Sequence, residues 1–482
     1  MSPLDVPSSA DVVILGGGVG GLSCARRLAR GGAKVVLLEA RAEAGGLATG
    51  LTVAGTRVDG GPYVVLDRPG LAYAFEQLAL DLDALGLIPI HHVYDVEQPG
   101  HPDFSFHADL EATIASLERA HPGSGPKYRA FVREMQRAHA SLASVLTSPT
   151  PGPLAILRAG ALGTVPLLLR SLGGVLRGSG LPPSVQQALG IWTHVAGQSL
   201  DDAPSPLAFA PAILHAHGAS VPATGMTRIV DALVAGAVDA GATLIPNARV
   251  TRIVTSGGTV RGVDVTIDGV ATHIACGTAV SNVGGVKTLL ELVPVAARTA
   301  AWARSLPLQS PGLAAYGVTK RAPAGPYLRF RLRGDAEDPV VPARLVVRPS
   351  AVDASFASDG LHPVRLVLPL AHHAAERLSD AEHRALLERA LEDPWWRDQV
   401  DDVVVEHRRV PATWGAEFGL HRNAMNPVMT AKFMREGRMP HRVKDVDGLF
   451  LVGSSTHPGQ WVSFCAVSGI LVADAVSRRL RG

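Results

Sequence analysis

The sequence predicts an α/β fold, and three observations within residues 11–46 carry the prediction. First, Val12–Leu15 is a short run of apolar residues with the length and composition of a buried strand. Second, the run breaks at Gly16, Gly17 and Gly18 into the spacing Gly16-x-Gly18-x-x-Gly21, after which Leu22, Ala25, Leu28 and Ala29 share one helical face. Third, another apolar run at residues 34–38 ends on Glu39, eighteen residues beyond Gly21. Strand, glycine turn, helix, strand and acid in that order make the Rossmann-type unit that binds a dinucleotide. Its first glycine allows the tight turn, its second lets the backbone approach a pyrophosphate, and its third lets helix and strand pack closely. The helix N-terminus offers N–H groups to the phosphates, and the acid accepts hydrogen bonds from a ribose.

The residues that follow favour FAD over NAD. Arg41 and the pair Gly45-Gly46 lie just past the ribose acid, and the chain then runs into Val58-Asp59-Gly60-Gly61-Pro62. A basic residue and a glycine pair in that place look like the second dinucleotide motif of large flavoproteins, whose backbone wraps the pyrophosphate from the other side.

Composition bounds the remainder. A chain of 482 residues is too long for one core and predicts two or three domains. The formal charge of +2, the absence of a long basic run and the few aromatics exclude nucleic acid as the expected partner. Cys24, Cys276 and Cys465 are far apart and odd in number, which predicts a reducing compartment and no disulfide framework. The first residues have neither the basic start nor the apolar core of a signal peptide, and no uninterrupted apolar stretch reaches about eighteen residues. The expectation is a cytoplasmic protein without a spanning helix, whose oligomeric state the sequence leaves open.

In chain order, residues 69–87 read as an amphipathic helix with Leu71, Phe75, Leu78 and Leu82 on one face. Strands are expected at 88–96 and 104–106, then helices at 110–120 and 127–146. Residues 141–200 stand apart: they hold Arg158, Arg170 and Arg177 but no Asp or Glu, among many Leu, Gly and Pro. Two readings fit such a stretch, a segment lying in the headgroup region of a bilayer and a buried helical lobe whose arginines snorkel to the surface. From Val221 the pattern returns to a helix containing Ile229, Leu233 and Val234, a strand at 243–245, β-strands with turns at Gly257-Gly258 and Asp268-Gly269, and a strand at 274–280. Strands are expected at 328–332, 344–347 and 364–368, and a helix at 380–391. A buried strand at 448–453 leads through Thr456-His457-Pro458-Gly459 into a helix at 462–480. The predicted organisation is a discontinuous FAD-binding domain (1–90, 216–285 and 441–482) and a mixed α+β substrate domain (91–215 and 286–440), with 141–200 as the segment that faces a membrane if one is bound.

Four stretches together resemble the phytoene desaturase family of FAD-dependent oxidoreductases, which includes carotenoid desaturases, carotenoid isomerases and retinol saturases. They are GGGVGGLSCARRLARGGAKVVLLEARAEAGG, VDGGPYVVLD, GMTRIVDALVAGAVDAGATLIPNARVTRI and GLFLVGSSTHPGQWVSFCAVSG. The resemblance is weak over 95–215 and 290–440. It implies FAD contacts from Gly16, Gly18, Val19, Gly20, Gly21, Glu39, Ala40, Arg41, Gly45, Gly46, Gly60, Gly61, Pro62, Val250, Gly453, Pro458, Gln460, Trp461 and Val462. Two departures stand out. The family usually has a glycine pair where this chain has Thr224-Gly225, and small residues with a proline where this chain has Gln460-Trp461-Val462-Ser463-Phe464.

The chemistry implied is hydride transfer at C–C or C=C bonds of an apolar, isoprenoid-like substrate, with the flavin N5 as hydride acceptor. His457 and Trp461 are the candidate catalytic side chains, and the N-terminus of the helix from Val462 would stabilise negative charge on the flavin. Trp192, His194, Trp414 and Phe418 are candidates for lining an apolar tunnel. The pairs His91-His92, His215/His217 and His372-His373 lack Cys or acid partners at ligand spacing, so no metal site is predicted. Two alternatives stand beside this reading. A flavin amine oxidase would need an aromatic cage and a lysine-held water, with Lys287 or Lys320 as the lysine. A flavin-binding partner subunit without turnover would have Trp461 closing the ring face.

Overall fold

The computed structural model describes residues 6–191, 197–334 and 340–482. Its cofactor-side sheet has five parallel strands, β1 (Val12–Leu15), β2 (Val35–Leu38), β3 (Thr243–Ile245), β4 (Ala279–Ser281) and β5 (Leu449–Leu451), in the spatial order β5-β4-β1-β2-β3. From the central β1 the chain winds first to one side and later to the other. The sheet therefore reverses direction between β1 and β4, the place where open α/β sheets open a crevice beyond their strand ends.

Helices cover one face and a smaller sheet covers the other, so β1 and β2 are buried on both sides. Along β1, Val12 and Ile14 join the core under helix α1 (Val19–Arg30), while Val13 and Leu15 join a second core beneath the antiparallel strands of residues 248–275. The last helix of the chain packs directly on α1. A Cβ added at Gly469 would lie 2.5 Å from the Gly20 carbonyl and 2.7 Å from Ser23 Cβ, so only glycine allows that approach.

The second sheet has seven strands in the order Val404–Arg409, Leu313–Thr319, His362–Leu368, Ala343–Val347, Leu328–Leu332, His92–Glu97 and Phe104–His107. All its neighbours are antiparallel except Leu328–Leu332 with His92–Glu97. Two distant parts of the chain are thus joined in one mixed sheet. The helix α2 (Ser124–Leu146) brings its C-terminal end towards the cofactor side.

Two expectations are corrected, and two strands are added to those expected. The helix expected at 69–87 spans Arg68–Leu78 and stops at Ala79, whose φ is +48°. The N–H groups of Ala79 and Leu80 bond back to Glu76 and Phe75, while Asp81 captures the N–H of Asp83, a local bond that competes with helix. The run 274–280 divides at Gly277 into Val270–Ala275 of the small sheet and β4 of the parallel one. The strands Leu313–Thr319 and Val404–Arg409 were not anticipated. The first is entirely buried and rich in small residues, and the second is a mostly exposed edge strand carrying Glu406, His407, Arg408 and Arg409.

The described residues of 141–200 are partly buried and partly exposed. Leu172, Val175, Leu176 and Val185 are buried, whereas Leu154, Leu157, Leu162 and Leu169 are 57%, 54%, 57% and 53% exposed. Among the described residues, no helix is long and apolar enough to cross a membrane.

Candidate functional site

The crevice between β1 and β4 begins with Gly16, whose φ of +92° turns the chain sharply at the end of β1. Gly18 then caps α1 without any side-chain hydrogen bond, which leaves the N–H groups of the first turn free for an anion. Gly45 and Gly46 return to the same place. The N–H of Gly45 donates to the Gly17 carbonyl at 2.7 Å, and a Cβ at Gly46 would lie 3.2 Å from the Gly18 Cα. Side chains at these glycines would fill the space that a pyrophosphate needs.

Glu39, at the end of β2, is 7% exposed. One carboxylate oxygen accepts the N–H of Gly17 at 2.8 Å and the other the N–H of Arg41 at 3.0 Å. The guanidinium of Arg41 lies over the Phe418 ring at 4.6 Å and pairs with Glu417 at 3.3 Å, and its buried Nε has no partner. Gly20, which lines the cleft, packs on Gly453 behind it: a Cβ on Gly20 would lie 2.9 Å from the Gly453 Cα and 3.0 Å from Asn282 Oδ1.

At the far end the walls are Gly61, Pro62 and the start of helix α3 (Val462–Arg481), which Trp461 precedes without a side-chain cap. Val462 and Ser463, in the first turn of α3, line the cleft, and no side chain caps their N–H groups. Ser463 donates to Asp67 at 2.8 Å, tying α3 to the helix that Asp67 caps. Arg365 is 8% exposed, donates to the Gly61 carbonyl and sits 5.1 Å over the Tyr316 ring, with Nε unpartnered. The cleft so formed has a volume of about 460 Å³. Its glycine cradle, ribose acid and unpaired cationic N–H groups fit FAD.

Beside it lies a cavity of about 1640 Å³, walled largely by Leu142, Val145, Ile156, Leu168, Phe209 and Ile213. Its α3 wall extends from Phe464 to Arg479, about 22 Å at 1.5 Å per residue. Leu207, Gln460 and Trp461 line both spaces and form their junction. Trp461 stacks on Phe464 with ring centroids 5.1 Å apart and planes 9° apart. Gln460 Oε1 accepts from Asn426 at 2.9 Å.

Most residues named from sequence line the cofactor cleft, Ala40, Val19 and Val250 included. Gly21, Gly60 and Gly453 instead shape its frame: Gly21 packs on the Gly16 carbonyl, and the Gly60 carbonyl accepts the Tyr316 hydroxyl at 2.8 Å. Pro458 and His457 line the larger cavity rather than the cleft. His457 Nε2 bonds the Val145 carbonyl at 3.0 Å, and burial pushes its pKa down to about 4. Trp414 and Phe418, expected along an apolar tunnel, line the cleft beside Arg41, whereas Trp192 and His194 lie outside the described residues. Lys320 pairs with Asp402 at the exposed surface at 3.3 Å. Lys287 does line the cleft, where it donates to the Gly419 carbonyl and burial lowers its pKa. Sequence reasoning missed Asn282 and Arg365; Asn282 follows a buried apolar strand and precedes Gly284-Gly285, a signal of the same kind as the first glycine turn.

A family model described as flavin containing amine oxidoreductase matches residues 19–477. A phytoene desaturase of Fusarium fujikuroi is 25% identical, aligning 96% of this chain with 89% of that protein. A zeta-carotene-forming phytoene desaturase of Myxococcus xanthus is 26% identical over 96% of this chain and 93% of its own. In fold, the chain is similar to the crystal structure of an oxidoreductase from Methanosarcina mazei, with TM-score 0.65, 17% identity and coverage of 96% and 99%.

Proposed function

The chain belongs to the flavin-containing amine oxidoreductase family, and from that premise we propose that it acts at C–C or C=C bonds of a long, apolar, isoprenoid-like molecule. It is an FAD-dependent oxidoreductase resembling phytoene desaturases. The observation that carries the substrate class is the junction at Leu207, Gln460 and Trp461, where a large apolar cavity meets the cofactor cleft. When bound, FAD supplies a hydride acceptor or donor.

The chain's own residues do the rest. The leucine-rich walls exclude water and hold a hydrocarbon by burial, worth about 25 cal/mol per Å² of apolar surface. Trp461 and Phe464 present a flat double ring at the junction, against which a polyene can lie. The uncapped start of α3 offers N–H groups where negative charge develops on the cofactor side. His457, neutral because of its burial, adds polarity without charge to the cavity wall.

We also propose peripheral membrane association on the cytoplasmic face. The exposed leucines at 154, 157, 162 and 169 lie beside Arg158 and Arg170, and Leu169 is also part of the cavity wall. An apolar surface continuous with an apolar cavity lets substrate pass from a bilayer without crossing water.

The test is anaerobic mixing of the FAD-loaded protein with phytoene in liposomes, or with a primary amine. Bleaching of the flavin by the polyene supports the proposal. Bleaching by the amine alone favours amine oxidation, and bleaching by neither favours a subunit without turnover.

A further inference from the structure

A hydrocarbon needs no cation in its cavity, yet Arg438 lines this one, and it is partly buried where Arg435, Lys444 and Arg478, which also line it, are exposed. It is half-buried, and among the described residues its one hydrogen bond is a long contact from Nη1 to the Ser454 carbonyl at 3.4 Å. A guanidinium has five N–H donors, so most of this one is unused.

Its position is at the cofactor end of the cavity. A Cβ built on Gly459 would lie 3.1 Å from Arg438 Nη2 and 3.1 Å from Phe464 Cδ2, so guanidinium and ring press on the same glycine. That ring is the one stacked on Trp461 at the junction.

The groups around Arg438 supply no compensating charge. His457 and His441 both have pKa values lowered by burial and are neutral near pH 7, and the Cys465 thiol is pushed up to about 12. Among the described residues no carboxylate comes within salt-bridge distance of it. Arg442 and Arg479, further along the same cavity, contrast with it because both pair with Asp447, at 3.0 and 2.7 Å. Partial burial of a guanidinium beside no carboxylate is costly, and its own pKa is pushed down to about 10. The planar fork suits a carboxylate bound through two oxygens.

We propose that Arg438 is the seat for a carboxylate at one end of the apolar substrate, which enters that end first and lies with it beside Trp461. The inference rests on the cavity being the site of a long apolar molecule. It narrows the substrate class from a pure hydrocarbon to an acid-ended chain, and it sets which end of the molecule approaches the cofactor.

Equilibrium binding of radiolabelled all-trans-retinoic acid and all-trans-retinol to the FAD-loaded protein tests it. The two probes share a polyene and differ in the end group. The wild type should prefer the acid by about 10- to 100-fold, the worth of a charge-assisted hydrogen-bonded pair. R438Q should remove the preference by weakening the acid alone, R438K should keep part of it, and R261Q, which removes an exposed charge elsewhere, should keep all of it. FAD content and melting temperature establish that each variant is folded, and R438K serves if R438Q is not. Equal affinity for acid and alcohol in the wild type, or an acid preference that survives R438Q, overturns the seat at Arg438 while leaving the apolar cavity intact. Failure of the wild type to bind either probe counts instead against the apolar-substrate reading.

Discussion

Glu39 Oε2 accepts the N–H of Gly17 at 2.8 Å, so the acid expected to hold a ribose also ties down the glycine turn that receives the phosphates. Replacing Glu39 by Ala removes both functions, and the FAD dissociation constant should rise by about 10- to 100-fold, the range for charged hydrogen bonds. E39Q keeps one acceptor and should fall between. Flavin released on gel filtration measures this, and an E39A protein that leaves the column as yellow as the wild type would rule it out.

Thr224 is a residue with a Cβ held in the left-handed region, its φ being +66°. It is exposed, so its side chain offers little packing in return, and the next residues carry the Met226 N–H that bonds both oxygens of Asp59 at 3.0 Å. A left-handed conformation costs a residue with a Cβ about 1–2 kcal/mol, and glycine loses about 0.5–1 kcal/mol of extra chain entropy. T224G should therefore stabilise the protein by about 0.5–1 kcal/mol in a urea titration. A lower midpoint would show that the threonine is not strained.

His457 gives a pH signature of definite sign. Its folded pKa of about 4 lies below the ordinary 6.5, so the unfolded chain takes up the proton first. The stability it contributes is complete above about pH 6.5 and is lost as the pH falls towards 4. Asp59 works the other way, since burial raises its pKa from 3.8 to about 6 and its contribution is lost as the pH rises through that range. Comparing wild type with H457Q separates the two. The variant should lose less stability on acidification from pH 6.5 to 4, by about 2 kcal/mol after allowing for partial exposure. Parallel melting curves across those pH values would contradict the assignment.

The exposed leucines predict how a membrane is held. Changing Leu154, Leu157, Leu162 and Leu169 together to Ser should reduce co-sedimentation with anionic liposomes at every salt concentration, because the loss is apolar. Changing Arg158, Arg170 and Arg177 to Gln should weaken it mainly at low salt, at about 1 kcal/mol per effective charge. Arg177 already pairs with Asp201 at 2.8 Å, so most of that effect should come from the other two. If the wild type stays in the supernatant throughout, the leucine surface serves another purpose.

What could be read beforehand followed from the range of the interactions involved. The Gly16–Gly21 turn, Glu39 and the Gly45-Gly46 return are local in sequence, and the backbone conformations they require restrict residue type directly. The division of 270–281 between two sheets left no local mark except Gly277. Arg365 could not be placed because its partners, Gly61 and Tyr316, come from distant segments. His457 was placed by its neighbours in the chain, whereas its actual partner, the Val145 carbonyl, lies 312 positions away.

The cofactor cleft draws on Gly16 at one extreme and Cys465 at the other, with Asn282 between them. During synthesis, a chain that has emerged only as far as β4 still lacks β5 and the start of α3, so its walls are incomplete. Flavin can be fully gripped only after residues as late as Cys465 have left the ribosome. Because FAD then binds the finished fold and not its precursors, it draws newly made chains towards the native state in proportion to its concentration over its dissociation constant. Flavin supply in the cell thus becomes a control on how much of this protein survives its own biosynthesis.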